Sequence, residues 1–392
     1  MDFTIPEEYE RLRAALREFA EREVLPRLKE AKRDEYNEID EETASWLRKR
    51  SYELGFHNVS MTEEFGGMDL GSLGVVLLRE EEVRLGALNG TGGGFGIGIV
   101  GGNPNGPSKI WLACNDEQRQ KYLWPLVKGH AQTAFALTEP GTGSDAQGIQ
   151  TSAVQKGDSW VINGMKHFCS GGHSADFIMA IVVTDPVKRA RGGVTAFIVE
   201  KDMPGFRVGR RQKTMGGFSP TELYFDDCVV PSKNVLGELG RGFYIGMGLL
   251  NEGRLAMAAT CLGAAEACLK MGISYSKQRV TFGQPLSERQ AIQWMLADTA
   301  TELAAARLLT YSSAWHAEAK DRDIRAEAAM AKLFASEMCD RAVDKCLQIH
   351  GGIGYTTDLP IEAIYRQMRL MRIGEGSSEM MRILIARQVL KD

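Results

Sequence analysis

The stretch RIGEGSSEMMR, residues 372–382, sets one carboxylate, Glu375, between two glycines, with two serines and apolar helical sequence directly after it. Two chemistries fit that spacing. Ser377 or Ser378 can cap a helix beginning near 379, with Glu379 in its first turn and Glu375 in the positive field of the helix end. Equally, Glu375 can be a base that does chemistry. A second constellation lies in LTEPGTGSDA, residues 137–146, where Thr138, Glu139, Ser144 and Asp145 crowd around a Pro-Gly turn. Its N–H groups and hydroxyls suit either a surface turn or a cradle for an anion or cofactor.

Other patterns imply less. Gly96, Gly98 and Gly101 satisfy GxGxxG, but no strand precedes them and Pro104 and Pro107 follow, so a turn or packing role is expected. Gly141, Gly143 and Ala146 fail the same strand–turn–helix test. There is no nucleophile elbow, zinc-protease helix or Walker loop. The six histidines lack metal-ligand spacing, so no metal site is expected. His350 closes a helix before Gly351, where an imidazole can serve the terminal carbonyls. Arg366, Arg369 and Arg372 line a short helix as a solvated face.

The elements that must position these groups fall into three regions. Over 1–130, Leu12, Leu16, Phe19 and Val24 form one apolar stripe, and helical runs follow at 40–55 and 73–86 around the breaker EEFGGMDLGS. The segment 90–109 is glycine-dense loop. Over 131–236, short runs such as FIMAIVVTD and VTAFIVEKD are cut by turn dipeptides and read as an antiparallel β-barrel or sandwich. Over 237–392, helices are expected at 241–275, 285–319, 324–350 and 378–390, a C-terminal four-helix bundle. The expected fold is α+β and multidomain, with an N-terminal helical domain, a middle β domain and this bundle.

Bulk properties agree with an ordinary soluble protein. At 392 residues, more than one core is expected. A formal charge of −4 gives no reason to expect nucleic acid. Seven cysteines without a CxxC pair suit a reduced compartment. The N-terminus lacks a signal-peptide profile and no apolar run approaches the ~20 residues that cross a bilayer, so a cytoplasmic protein without membrane contact is expected.

Four segments, taken in order, carry a resemblance. They are FALTEPGTGSDA (135–146), GMKHFCSGGHSAD (164–176), SKQRVTFGQPLSERQ (276–290) and QIHGGIGYTTDLPIEAIYRQMRLMRIGEGSSEMMRILIAR (348–387). Together they resemble the FAD-dependent acyl-CoA dehydrogenase family over nearly the whole chain. The resemblance implies oxidation of an acyl-CoA thioester to the trans-2-enoyl-CoA, with electrons passing to an electron-transfer flavoprotein. An acyl-CoA oxidase using oxygen, or a flavin monooxygenase, is the alternative on the same fold. The acyl group is left open, as is a carrier-protein thioester in place of CoA.

Residue by residue, the resemblance makes Glu375 the base for the α-proton, its own N–H one donor to the thioester oxygen. The family's other base position falls on Gly253 in NEGR (251–254), which cannot serve, and Glu252 is one residue out of register. Phe135, Leu137, Thr138 and Ser144 match the loop along the flavin. Phe168 and Ser170 stand where Trp and Thr are usual beside the flavin ring. Arg279, Phe282, Gln290, Gln348 and Gly352 match residues that hold the FAD of a neighbouring subunit, which implies a homotetramer. Ser377 and Glu379 match the cofactor stretch after the base. Ser144, Asn251 and Arg254 match substrate contacts. Gly374 replaces a larger residue and suggests an opened pocket wall, and 215–227 is shorter than usual.

Overall fold

The structure is a computed structural model that describes residues 4–91, 95–101, 106–319 and 323–391. The side chain of Asn251, and positions 92–94 and 102–105 of the glycine-dense segment, lie outside the described residues.

The first region holds α1 (Glu7–Phe19), α2 (Leu25–Glu30), α3 (Glu41–Glu53), α4 (Ser72–Asn89), α5 (Asp116–Gln118) and α6 (Trp124–Val127). Asp40 caps α3 by accepting from the Thr43 N–H. In α4, three successive carboxylates, Glu80, Glu81 and Glu82, are all buried. Each is satisfied. Glu80 accepts from Arg307 and from the Tyr311 hydroxyl, and Glu81 accepts from Arg17 and Arg84. Glu82 accepts the backbone N–H groups of Gly98, Ile99 and Val100 at 2.5, 3.2 and 3.0 Å. The GxGxxG pattern therefore does wrap an anion, and that anion is the protein's own Glu82.

The second region supplies β1 (Thr133–Ala136), β2 (Ser152–Lys156), β3 (Ser159–Cys169), β4 (Phe177–Val183), β5 (Val194–Glu200), β6 (Phe206–Arg211), β7 (Thr221–Pro231) and β8 (Val235–Leu236). The order is β6-β7-β3-β2-β4-β5-β8, with β1 also on β4. Most pairings are antiparallel, as expected, but β1–β4 and the β2–β4 junction are parallel. The 137–151 loop lets the chain leave β1 and return on the same side of the sheet, which a tight hairpin cannot do. β4 is buried along its whole length. Its odd and even residues serve different cores: Phe177, Met179 and Ile181 meet Trp111, Tyr122 and Leu126, while Ile178, Ala180 and Val182 meet Trp160, Phe197 and Phe225.

The third region contains α7 (Gly242–Gln278), a short β9–β10 ribbon (Val280–Thr281 and Gln284–Pro285), α8 (Gln290–Ala317), α9 (Arg325–His350), α10 (Ile361–Met368) and α11 (Ser378–Val389). α7 is long and apolar enough to cross a membrane by length and composition, and most of that window is buried inside the fold. It packs against α4, α8 and α9, and α11 packs on α9. Along α7 and α9 the side chains meet in step: Cys261 with Cys339, Cys268 with Cys346, and the Tyr275 ring with His350 at 4.3 Å. The two helices therefore run parallel, the pairs stepping seven residues along both helices and then seven along α7 against four along α9. His350 also donates from Nδ1 to the Cys346 carbonyl at 2.8 Å, the helix-end role its position implied.

Candidate active site

Ser377 caps α11, its hydroxyl oxygen accepting from the Met380 N–H, and Glu379 lies exposed in the first turn. The chain reaches that cap through two left-handed residues, Glu375 at φ 51° and Gly376 at φ 100°. For a residue with a Cβ this conformation costs about 1–2 kcal/mol. A buried lysine opposes that cost: Lys332 on α9 donates from Nζ to the Gly376 carbonyl at 2.6 Å. The turn throws the Glu375 side chain onto α7 at Gly253. A Cβ built on Gly253 would stand 1.8 Å from Glu375 Oε2 and 2.5 Å from its carboxyl carbon. Gly253 is thus the berth of the Glu375 carboxylate.

The berth is electrically unusual. Burial pushes the Glu375 carboxyl up to about 7, while the Lys332 and Arg254 cations pull it back. Its Oε2 is buried and, among the described residues, has no hydrogen-bond partner. Arg254 is buried one residue along α7, and its Nη2 would lie 4.0 Å from a Cβ on Gly376. Gly374 leaves less space than its lack of a side chain suggests, because the Met257 methyl would stand 3.2 Å from a Cβ there. Glu252 is exposed on the helix beside these groups.

A second group forms on the β domain. His167 donates its backbone N–H to the Thr138 carbonyl at 2.7 Å, so Leu137 and Thr138 lie alongside Phe168 and Ser170. Phe168 is left-handed, at φ 56°, and 58% exposed, with the His167 ring 4.0 Å from its own. An apolar ring held at that exposure in a disfavoured conformation is a surface made to be covered. Ser144 and Ser170 are exposed as well, whereas Leu137 is buried. Phe135 is partly buried and packs towards Gly246 of α7. The loop is pinned by a buried ion pair: Lys166 Nζ meets Glu139 Oε1 at 2.8 Å and the Leu137 carbonyl at 3.0 Å. Glu139 also accepts from the N–H groups of Gln150 and Thr151. Although burial pushes the Glu139 carboxyl up, Lys166 and these donors hold it below its ordinary value.

A third group lies elsewhere. Arg279, Phe282 and Gln290 surround the β9–β10 ribbon, with Gln348 and Gly352 at the end of α9, and all five are exposed. Tyr275 against His350 puts both sets at one end of the bundle. At 1.5 Å per helical residue, Arg279 is about 37 Å along α7 from Arg254, and Gln348 about 24 Å along α9 from Lys332. One chain therefore does not bring this third group to Glu375.

Lys332, Lys166 and Met257 were not singled out in the sequence. Lysines look like surface charge unless their burial is known. Their helical or strand periodicity was the only available signal, since both fall on apolar faces: Lys332 among Ala328, Ala331 and Ala335, and Lys166 beside Cys169.

Comparison with known proteins follows the same division. Residues 6–130, 134–228 and 240–390 match the models of the N-terminal, middle and C-terminal domains of acyl-CoA dehydrogenase. The chain is 37% identical over 390 residues to an acyl-CoA dehydrogenase of Bacillus subtilis, covering 98% of this chain and 99% of the relative. A chain in a solved structure from a study of the electron transferring flavoprotein of Acidaminococcus fermentans superposes with a TM-score of 0.87 at 37% identity, over 100% of both chains. An acyl-CoA dehydrogenase complexed with FAD from Bacillus anthracis superposes with a TM-score of 0.84 at 30% identity, over 99% of this chain and 67% of that one. Fold and domain order are those of a three-domain oxidoreductase. The chain belongs to the acyl-CoA dehydrogenase family.

Proposed function

We propose that this chain removes the α-proton and β-hydride of an acyl-CoA thioester, with Glu375 as the base. The observation that carries this is the Glu375 carboxylate, seated on Gly253 with a buried, unpartnered oxygen and a pKa near neutrality. A base works best when its pKa lies near the working pH and its free oxygen faces the proton it takes. The Glu375 N–H serves as a donor to the thioester oxygen, as the resemblance implies. Arg254 sits on α7 beside the base as a substrate contact, Asn251 keeps the substrate role the resemblance implies, and Ser144 marks the mouth on the β-domain side. Met257 and Gly374 bound the acyl end.

FAD fits the groups on the β domain. Phe168 offers a ring face, Ser170 and Ser144 offer hydroxyls, and the Lys166–Glu139 pair holds Leu137 and Thr138 in place beside them. When bound, FAD supplies the acceptor for the β-hydride. Phe135 backs the same loop, and Ser377 and Glu379 hold the cofactor from the α11 side. Arg279, Phe282, Gln290, Gln348 and Gly352 hold the far half of a cofactor lodged in a second copy. This is supported by their distance from Glu375 and by the apolar surface near them: Phe282 is 97% exposed, and Trp294 and Tyr355 are exposed too. The working assembly is a homotetramer in the cytoplasm, and an electron-transfer flavoprotein takes the electrons on. Seven cysteines, all free and buried, suit a reducing compartment.

The test is Glu375→Gln. The amide keeps the volume but cannot take the proton, so FAD and acyl-CoA binding stay while anaerobic flavin reduction falls by at least about 10³-fold. A variant that still bleaches at near the wild-type rate overturns the reading.

A further inference from the structure

Beside the base stands a charge with no assigned role. Lys332 is fully buried on a helix face it shares with Ala328, Ala329, Ala335 and Ser336, where a methionine would pack with no charge to desolvate. Its ammonium reaches the Gly376 carbonyl at 2.6 Å, the residue directly after Glu375. We propose that Lys332 is a positioning residue for Glu375: anchored on the Gly376 carbonyl, its ammonium holds the left-handed turn that seats the carboxylate on Gly253 and keeps that carboxylate ionised.

This rests on Glu375 being the base. Three features of the geometry support it. First, Glu375 and Gly376 are both left-handed, so the peptide between them turns its neighbours' carbonyls away from any helical partner, and Lys332 supplies the donor. Second, the groups facing Glu375 are Arg254 from α7 and Lys332 from α9, two cations on one carboxylate. Third, Lys332 itself faces Cys261 and Arg254 from α7, Glu379 from α11 and Glu375, whose effect on it exceeds that of Glu379. Burial draws the Lys332 ammonium down to about 8, with Cys261 and Glu375 opposing the fall. Without the ammonium, Glu375 keeps its desolvation and loses the stronger of the two cations that oppose it.

The test reads the protonation of Glu375 without turnover. In the FAD-loaded protein, the carboxyl infrared band that disappears in Glu375→Gln is titrated in Lys332→Met and in Lys332→Gln. Gln retains an N–H donor for the Gly376 carbonyl and drops the charge. Both variants are expected to raise the midpoint by about one unit or more. At pH 7 the rate of anaerobic flavin reduction by an acyl-CoA then falls about fivefold or more, and the loss shrinks as pH rises. Lys332→Arg, which keeps the charge, is expected to hold the midpoint near wild type. An unshifted midpoint in Lys332→Gln, or an equal rate loss at every pH, overturns the proposal. If Lys332→Met does not accumulate as folded protein, Lys332→Gln decides by the same criterion. Failure of the base reading is distinguishable, because it appears as activity retained in Glu375→Gln whatever Lys332 does.

Discussion

Gly253→Ala separates the position of Glu375 from everything else about the fold. The new methyl carbon would lie 1.8 Å from Glu375 Oε2, and ordinary contact begins at 3.4 Å, so the carboxylate must retreat by the difference. It can do so cheaply, because a glutamate tip rotates. Gly253 lies within α7 at a helical backbone angle, and alanine there favours the helix by roughly 0.5–1 kcal/mol. Thermal stability should therefore hold or rise. Catalysis should not survive as well: a misplacement of about 1 Å costs on the order of 10²-fold. The assay is stopped-flow bleaching of the flavin by an acyl-CoA without oxygen, with FAD content and calorimetric unfolding measured on the same preparation. Falling activity with steady FAD and steady melting is the expected pattern. A Gly253→Ala protein that reduces its flavin within about threefold of wild type means the carboxylate need not sit where it does, and the geometric case for this base fails.

Further outcomes follow from the same groups. Flavin reduction should rise as pH climbs through about 7 and level off above it, as Glu375 ionises; a flat profile removes this carboxyl from the rate. Because the folded pKa is raised from 4.5, protonated Glu375 favours the native state at low pH, and roughly 3 kcal/mol is lost as pH rises through 7. Glu375→Gln should lack that component, so its denaturant midpoint gains on wild type as pH rises from 4.5 to about 7. Lys166→Met leaves the buried Glu139 without its cation and with only two backbone donors, which should cost about 3–5 kcal/mol and loosen FAD retention. Adding Glu139→Met should recover much of that; equal losses in single and double variants would show that the pair is uncoupled. Phe282→Asp should shift sedimentation to smaller species and release FAD, and an intact assembly would move the shared site away from this ribbon.

Several features were legible in the sequence because they depend on neighbours along the chain. Helices alternating with strand runs, the turn dipeptides and the Ser377 cap all follow from local pattern, and their elements form close to where pattern places them. The four segments carried the family in the same way, through residues spaced along one dimension. Other features depend on what stands opposite, and only the tertiary structure decided them. GxGxxG at 96–101 read as a turn or packing segment, and only α4 showed that its N–H groups wrap Glu82. Gly253 read as an absence, yet the left-handed turn at 375–376 makes it the space a carboxylate occupies. The burial of Lys332 and Lys166 is likewise a property of the assembled core. The raised pKa of Glu375 is of the same kind. A carboxyl's proton affinity is set by the water removed from it and the cations left beside it, and both arrive from helices more than forty residues away in sequence.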